Sequence, residues 1–83
     1  MKLNEMKTYL AAHGAEEGVA YSHGGLGGGE ITGIEKIDGV WHTYSSERGK
    51  KQGYRAWPSE EEAVADVMKY AEKFARAYKL WRD

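Results

Sequence analysis

The segment that decides the fold is "EITGIEKIDGVWHTYSS", residues 30–46. It contains two runs rich in β-branched and aromatic residues, "EITGIEKI" and "VWHTYSS", the pattern of strands. Asp38-Gly39 stands between them. That dipeptide accepts the positive backbone angles of a two-residue turn whose twist suits antiparallel neighbours. The segment therefore reads as a hairpin. On its second strand Trp41, Thr43 and Ser45 share one face, and Val40, His42 and Tyr44 share the other. Downstream, "ERGKKQG" reads as a turn or loop and "YRAW" as a third short strand. The expected sheet is a three-stranded antiparallel meander.

Two helices flank this sheet. Ser59 after Pro58 suits an N-cap, and Glu62 three residues later completes a capping box. Glu60, Glu61, Glu62 and Asp66 crowd the start, while Lys69, Lys73, Arg76, Lys79 and Arg82 crowd the end, matching the helix dipole. The apolar stripe runs through Val64, Val67, Met68, Ala71, Phe74, Ala75 and Tyr78. A helix from Ser59 to about Arg82 spans roughly 35 Å, longer than the strands. Its last turns are expected to overhang the sheet and to meet the first helix, a second copy or a partner. The first helix is predicted over Lys2–His13 from Leu3, Met6 and Leu10, with Gly14 as its left-handed cap. The order helix, strand, strand, strand, helix makes an α+β domain.

The stretch "YSHGGLGGGE", residues 21–30, joins the first helix to the hairpin. A phosphate loop ends in Gly-Lys-Ser/Thr ahead of a helix. Here the glycines run into Glu30 and the strand-like Ile31. The dinucleotide spacing fails as well, because Glu30 stands where the third glycine belongs. "HGG" resembles an oxyanion loop, but no Gly-x-Ser-x-Gly elbow accompanies it. The stretch reads as a flexible connection to the sheet edge, or as a loop that orders on a partner.

The chain has 83 residues, no Cys and a formal net charge of −1. That is one domain, residues 1–83, without disulfides or thiolate metal sites. His13, His23 and His42 show no metal-ligand spacing, and neither metal nor cofactor is expected. The first residues do not form a secretory leader and no apolar run is long enough to span a bilayer. The expectation is a cytoplasmic protein without membrane contact. The charge balance argues against a broad nucleic-acid surface. A local cluster of Arg48, Lys50, Lys51, Tyr54 and Arg55 leaves a minor nucleic-acid-binding module as one alternative. No nucleophile has an identifiable base, so an enzyme is not expected. If both helices lie on one side of the sheet, the other face exposes aromatic beside polar groups, a composition suited to recognition. If one helix covers each face, no such surface exists.

Three segments together carry a resemblance: "YSHGGL", then "IEKIDGVWHTYSSERGKK", then "WPSEEEAV". Their order and spacing resemble the small immunity proteins of bacterial polymorphic-toxin and contact-dependent growth inhibition systems. The matching residues are Tyr21, Ser22, Gly24, Gly25 and Leu26, then Trp41, then Ser46, Glu47, Arg48 and Gly49, then Trp57, Ser59, Glu60, Glu62 and Ala63. The resemblance implies a non-enzymatic antitoxin that binds a cognate toxin domain, a nuclease in many such systems, by surface complementarity. The partner-binding residues read on that basis are Tyr21, His23, Tyr44, Glu47, Arg48 and Trp57. The aromatics would anchor, and Glu47 and Arg48 would orient the partner, although both equally fit a role confined to their own turn. A phage-type inhibitor of a host nuclease is the other alternative. A homodimer through the C-terminal helix is a further expectation.

Overall fold

The computed structural model describes residues 1–27 and 29–83. Helix α1 (Leu3–Ala12) leads into strand β1 (Tyr21–His23), and then come β2 (Ile31–Ile37), β3 (Val40–Glu47), β4 (Lys50–Trp57) and helix α2 (Glu60–Ala77). The strands form one sheet in the order β1-β2-β3-β4. The α+β class and the two flanking helices stand as expected. The three-stranded antiparallel meander does not: a fourth strand, β1, pairs with β2 in parallel, so the sheet is mixed. Three residues directly before a glycine run carry no alternation that would reveal a strand, and parallel pairing leaves no turn signal.

Asp38 and Gly39 adopt the expected left-handed angles, φ 49 and 80. A second turn of the same kind replaces the expected seven-residue loop. Arg48 and Gly49 take φ 49 and 76, so Glu47 pairs directly with Lys50. The β3–β4 register shifts between Thr43 and Ser45, beside Gly53 at φ 67. A glycine with positive φ is the residue such a bulge uses to add one position to a strand.

Both helices lie on one side of the sheet. Leu3, Met6 and Leu10 of α1 join Ala63, Val64, Val67, Ala71 and Ala75 of α2 in one buried cluster with Tyr21 and Ile34. The register places Ile34 beside Thr43 and Lys36 beside Trp41, so that face continues onto β3. The alanines of α2 let its backbone approach the strands closely, and each fully buried aliphatic side chain contributes about 2 kcal/mol. The helix starts share an acid. The Leu3 N–H donates to Glu60 Oε2 at 2.8 Å and the Lys2 N–H to Glu5 Oε1 at 2.8 Å. Ser59 Oγ accepts from the Glu62 N–H at 3.2 Å, one half of the expected box. The Glu61 carboxyl is held below its ordinary range by its own backbone N–H and by Lys2.

The C-terminal helix is shorter than its charge pattern suggests. It ends at Ala77, and Lys79 turns left-handed with φ 59. The Leu80 N–H reaches the Ala75 carbonyl at 2.7 Å, and the Lys79 N–H reaches Arg76 at 3.2 Å, the two bonds of a Schellman closure. The tail then folds back on α1 instead of overhanging the sheet. The Arg82 N–H donates to the His13 carbonyl at 2.7 Å, His13 Nδ1 donates to the Arg82 carbonyl, and Trp81 stacks on His13 at 4.7 Å. Gly14, the expected cap of α1, has φ 87, and a Cβ there would stand 2.1 Å from the Leu80 carbonyl oxygen. No helix among the described residues is long and apolar enough to cross a membrane.

Two expectations follow. Gly14→Ala meets both the backbone angle and the crossing tail, and should cost at least about 2 kcal/mol. Lys79→Gly relieves a left-handed side-chain residue and should add about 0.5–1 kcal/mol. Urea unfolding of both variants checks the pair. Burial, and secondarily Glu17, raises the Tyr21 hydroxyl from its ordinary 10.0 to about 12. A raised folded pKa leaves stability whole below the unfolded value and removes it as pH climbs through the folded one. The chain should therefore lose about 2–3 kcal/mol between pH 10 and 12 on this account. Tyr21→Phe should flatten that part of a stability–pH curve.

Candidate functional site

The sheet face away from the helices is built around a missing side chain. Gly33 lies in the middle of β2, opposite Tyr44 of β3. A Cβ on Gly33 would stand 2.1 Å from Tyr44 Cζ, so the phenol ring lies directly over the glycine backbone. From there it crosses β2 and reaches the glycine-rich connection. Tyr44 OH donates to the Gly25 carbonyl at 2.7 Å. Ser22 Oγ, on β1, donates to the same carbonyl at 3.0 Å, and the two hydroxyls stand 3.1 Å apart. The Gly27 N–H donates to Ser46 Oγ at 3.0 Å. Lys51 Nζ donates to the Gly24 carbonyl at 2.6 Å. The connection expected to be flexible is thus held against the sheet over residues 24–27; Gly28 lies outside the described residues.

Lys51 also joins Glu35 at 3.0 Å, and Tyr54 OH donates to the other Glu35 oxygen at 3.1 Å. The bond to Glu35 raises the Lys51 pKa above the ordinary lysine value. Desolvation, with the same carboxylate second, raises the Tyr54 hydroxyl. Lys51 therefore stays charged and Tyr54 stays protonated through neutral pH, both as donors to Glu35. Tyr54 leans on Tyr44 at 5.3 Å between ring centres and meets His42 edge-on at 6.1 Å. Beyond this polar centre the face is apolar and open: Ile37 is 37% exposed, Val40 42% and Tyr54 44%. These three side chains share the face with Glu35 and His42 by register.

The residues predicted from sequence do not gather into one patch. Tyr21 is 1% exposed, inside the core beneath the helices, and Tyr44 is 2% exposed beneath the glycine-rich connection. Neither offers an anchor to a partner; burial in a small domain took both large aromatics. His23 is exposed on the helix side and accepts from Lys7 Nζ at 2.8 Å, while Lys7 pairs with Glu17 at 3.0 Å. Trp57 is half-buried at the end of β4, its indole N–H on Thr43 Oγ1 at 2.9 Å and Arg55 4.2 Å above its ring. Glu47 accepts from Gln52 at 3.1 Å, and Arg48 projects from the turn. The basic cluster divides: Lys51 faces the open side, whereas Arg55 packs on Trp57 on the helix side. Ile37, Val40 and Glu35 were not singled out for binding, and Lys51 was named only within the basic cluster. Strand alternation had placed Val40 on one face with His42 and Tyr44, but only the position of the helices tells which face is open.

Among the described residues no group of three or more His, Asp or Glu is placed to hold a metal ion. Comparison with protein-family models, with curated proteins and with solved structures found no match.

Gly33→Ala should displace the Tyr44 ring and cost about 3 kcal/mol, whereas Tyr44→Phe should cost about 1 kcal/mol. Ser46→Ala should speed amide exchange at Gly27 without unfolding the chain. Calorimetry and hydrogen exchange read these outcomes.

Proposed function

We propose that this protein is an immunity-type inhibitor that binds a cognate toxin domain through the open face of its sheet. One observation carries the reading: both helices pack on the same side, which leaves Ile37, Val40 and Tyr54 exposed around the Glu35–Lys51 pair. An apolar and aromatic patch with a polar centre is what a specific interface places at its core. The strands under it are braced by two tight turns and by the pinned glycine-rich connection. The patch is therefore preformed, and docking costs little ordering entropy. The order of the Tyr-Ser…Gly-Gly-Leu, Trp, Ser-Glu-Arg-Gly and Ser-Glu-x-Glu-Ala segments supports the immunity reading over other binding roles. In this reading the chain performs no chemistry and acts by covering the toxin. Ile37, Val40 and Tyr54 take the anchoring role assigned to Tyr21 and Tyr44, and Arg48, exposed at the turn, orients the partner.

Co-expression with the toxic domain encoded beside this chain is expected to rescue growth. Tyr54→Ala and Val40→Asp should each weaken the complex about 30-fold, the loss of about 2 kcal/mol at an interface anchor. Lys69→Ala, on the helix side, should leave affinity unchanged. Equal affinity in all three folded variants sinks the open-face assignment, and failure of the wild type to bind or rescue sinks the immunity reading.

A further inference from the structure

On the opposite side of the molecule, the second half of α2 does not lie flat on the sheet. A groove of ≈ 850 Å³ separates it from the start of β2. Tyr70, Phe74 and Tyr78 form the helix wall at i, i+4 and i+8, with Val19 and the start of β2 at Ile31 and Thr32 across from them. Three of them are incompletely used by the core, Tyr78 at 67% exposed, Val19 at 48% and Tyr70 at 43%, while Phe74 packs partly on the core and Ile31 is buried. Phe74 and Tyr78 stand 4.5 Å apart, so the stripe is a continuous aromatic ridge beside its own groove.

The charges of the groove narrow the occupant. The helix wall carries Lys73 and the sheet wall carries Glu30, both exposed. Neither has an ion-pair partner among the described residues. A peptide of either net charge would satisfy one wall and be repelled by the other. A two-fold copy of the same surface satisfies both, because the helix wall of each copy meets the sheet wall of the other. We infer that this groove is a homodimer interface, in which each α2 seats its Tyr70–Phe74–Tyr78 ridge in the groove of a second copy and each Lys73 meets Glu30 of that copy. Ridge and groove are adjacent on one protomer, which is the geometry an isologous contact needs. The open sheet face lies on the other side of the molecule, so the dimer does not compete with a partner bound there and does not depend on that reading.

Sedimentation equilibrium over a wide concentration range tests the inference on the full chain. The wild type is expected to pass from monomer to dimer. Glu30→Lys and Lys73→Glu place like charges at both symmetry-related contacts, and each should weaken the dimer about tenfold. The double reversal should restore it. Tyr78→Glu, at an exposed position, should abolish it while the thermal transition persists. A chain that remains monomeric throughout overturns the inference. So does a dimer indifferent to the two single reversals, or a groove that binds the toxic domain so that Tyr78→Glu abolishes that complex and Tyr54→Ala spares it.

Discussion

The architecture turns on the contact between Gly33 and Tyr44. A large ring can lie across a neighbouring strand only where that strand presents no Cβ. With that space open, the Tyr44 hydroxyl reaches past β2 to the Gly25 carbonyl, where Ser22 arrives from β1. One ring therefore ties β3, β2, β1 and the connection between them. The parallel pairing of a three-residue strand has few hydrogen bonds of its own. It persists because its connection is fastened to the sheet by Tyr44, Ser46 and Lys51.

That arrangement also sets the asymmetry of the molecule. One sheet face is spent on the helices and on a core of Met6, Leu10, Ile34, Val64 and Val67. The other is half covered by the glycine-rich connection and half open. The covered half is rigid, and the open half inherits the rigidity. On the helix side, the tail stacks Trp81 on His13 and closes the end of α1. Tyr70 and Tyr78 of the ridge stay exposed, and Phe74 packs partly on the core.

Much of the frame was legible because it is encoded locally. Asp38-Gly39, Gly14 and Ser59 each carry a chemistry that acts within a few residues, and each sits where that chemistry requires. The Arg48-Gly49 turn was readable only as part of a seven-residue turn or loop, because Arg at a positive φ gives no warning in composition. The end of α2 was hidden for the same reason: Lys79 in the left-handed region looks like one more cation in a helical run. The candidate site was half legible. The alternation of Val40, His42 and Tyr44 against Trp41, Thr43 and Ser45 was correct, but burial reversed the value of the aromatics. Tyr44 went under the connection and Tyr21 into the core.

By itself the sequence determined the helices, the hairpins' antiparallel sense and the grouping of side chains on each strand, since these follow from periodicity and turn chemistry over short spans. The tertiary structure decided the parallel β1, the path of the glycine-rich connection, the fold-back of the tail and the open face. Each of these depends on where residues distant in the chain, such as Gly33 and Tyr44 or Gly14 and Leu80, are allowed to touch, and no local pattern records a contact whose condition is the absence of an atom elsewhere.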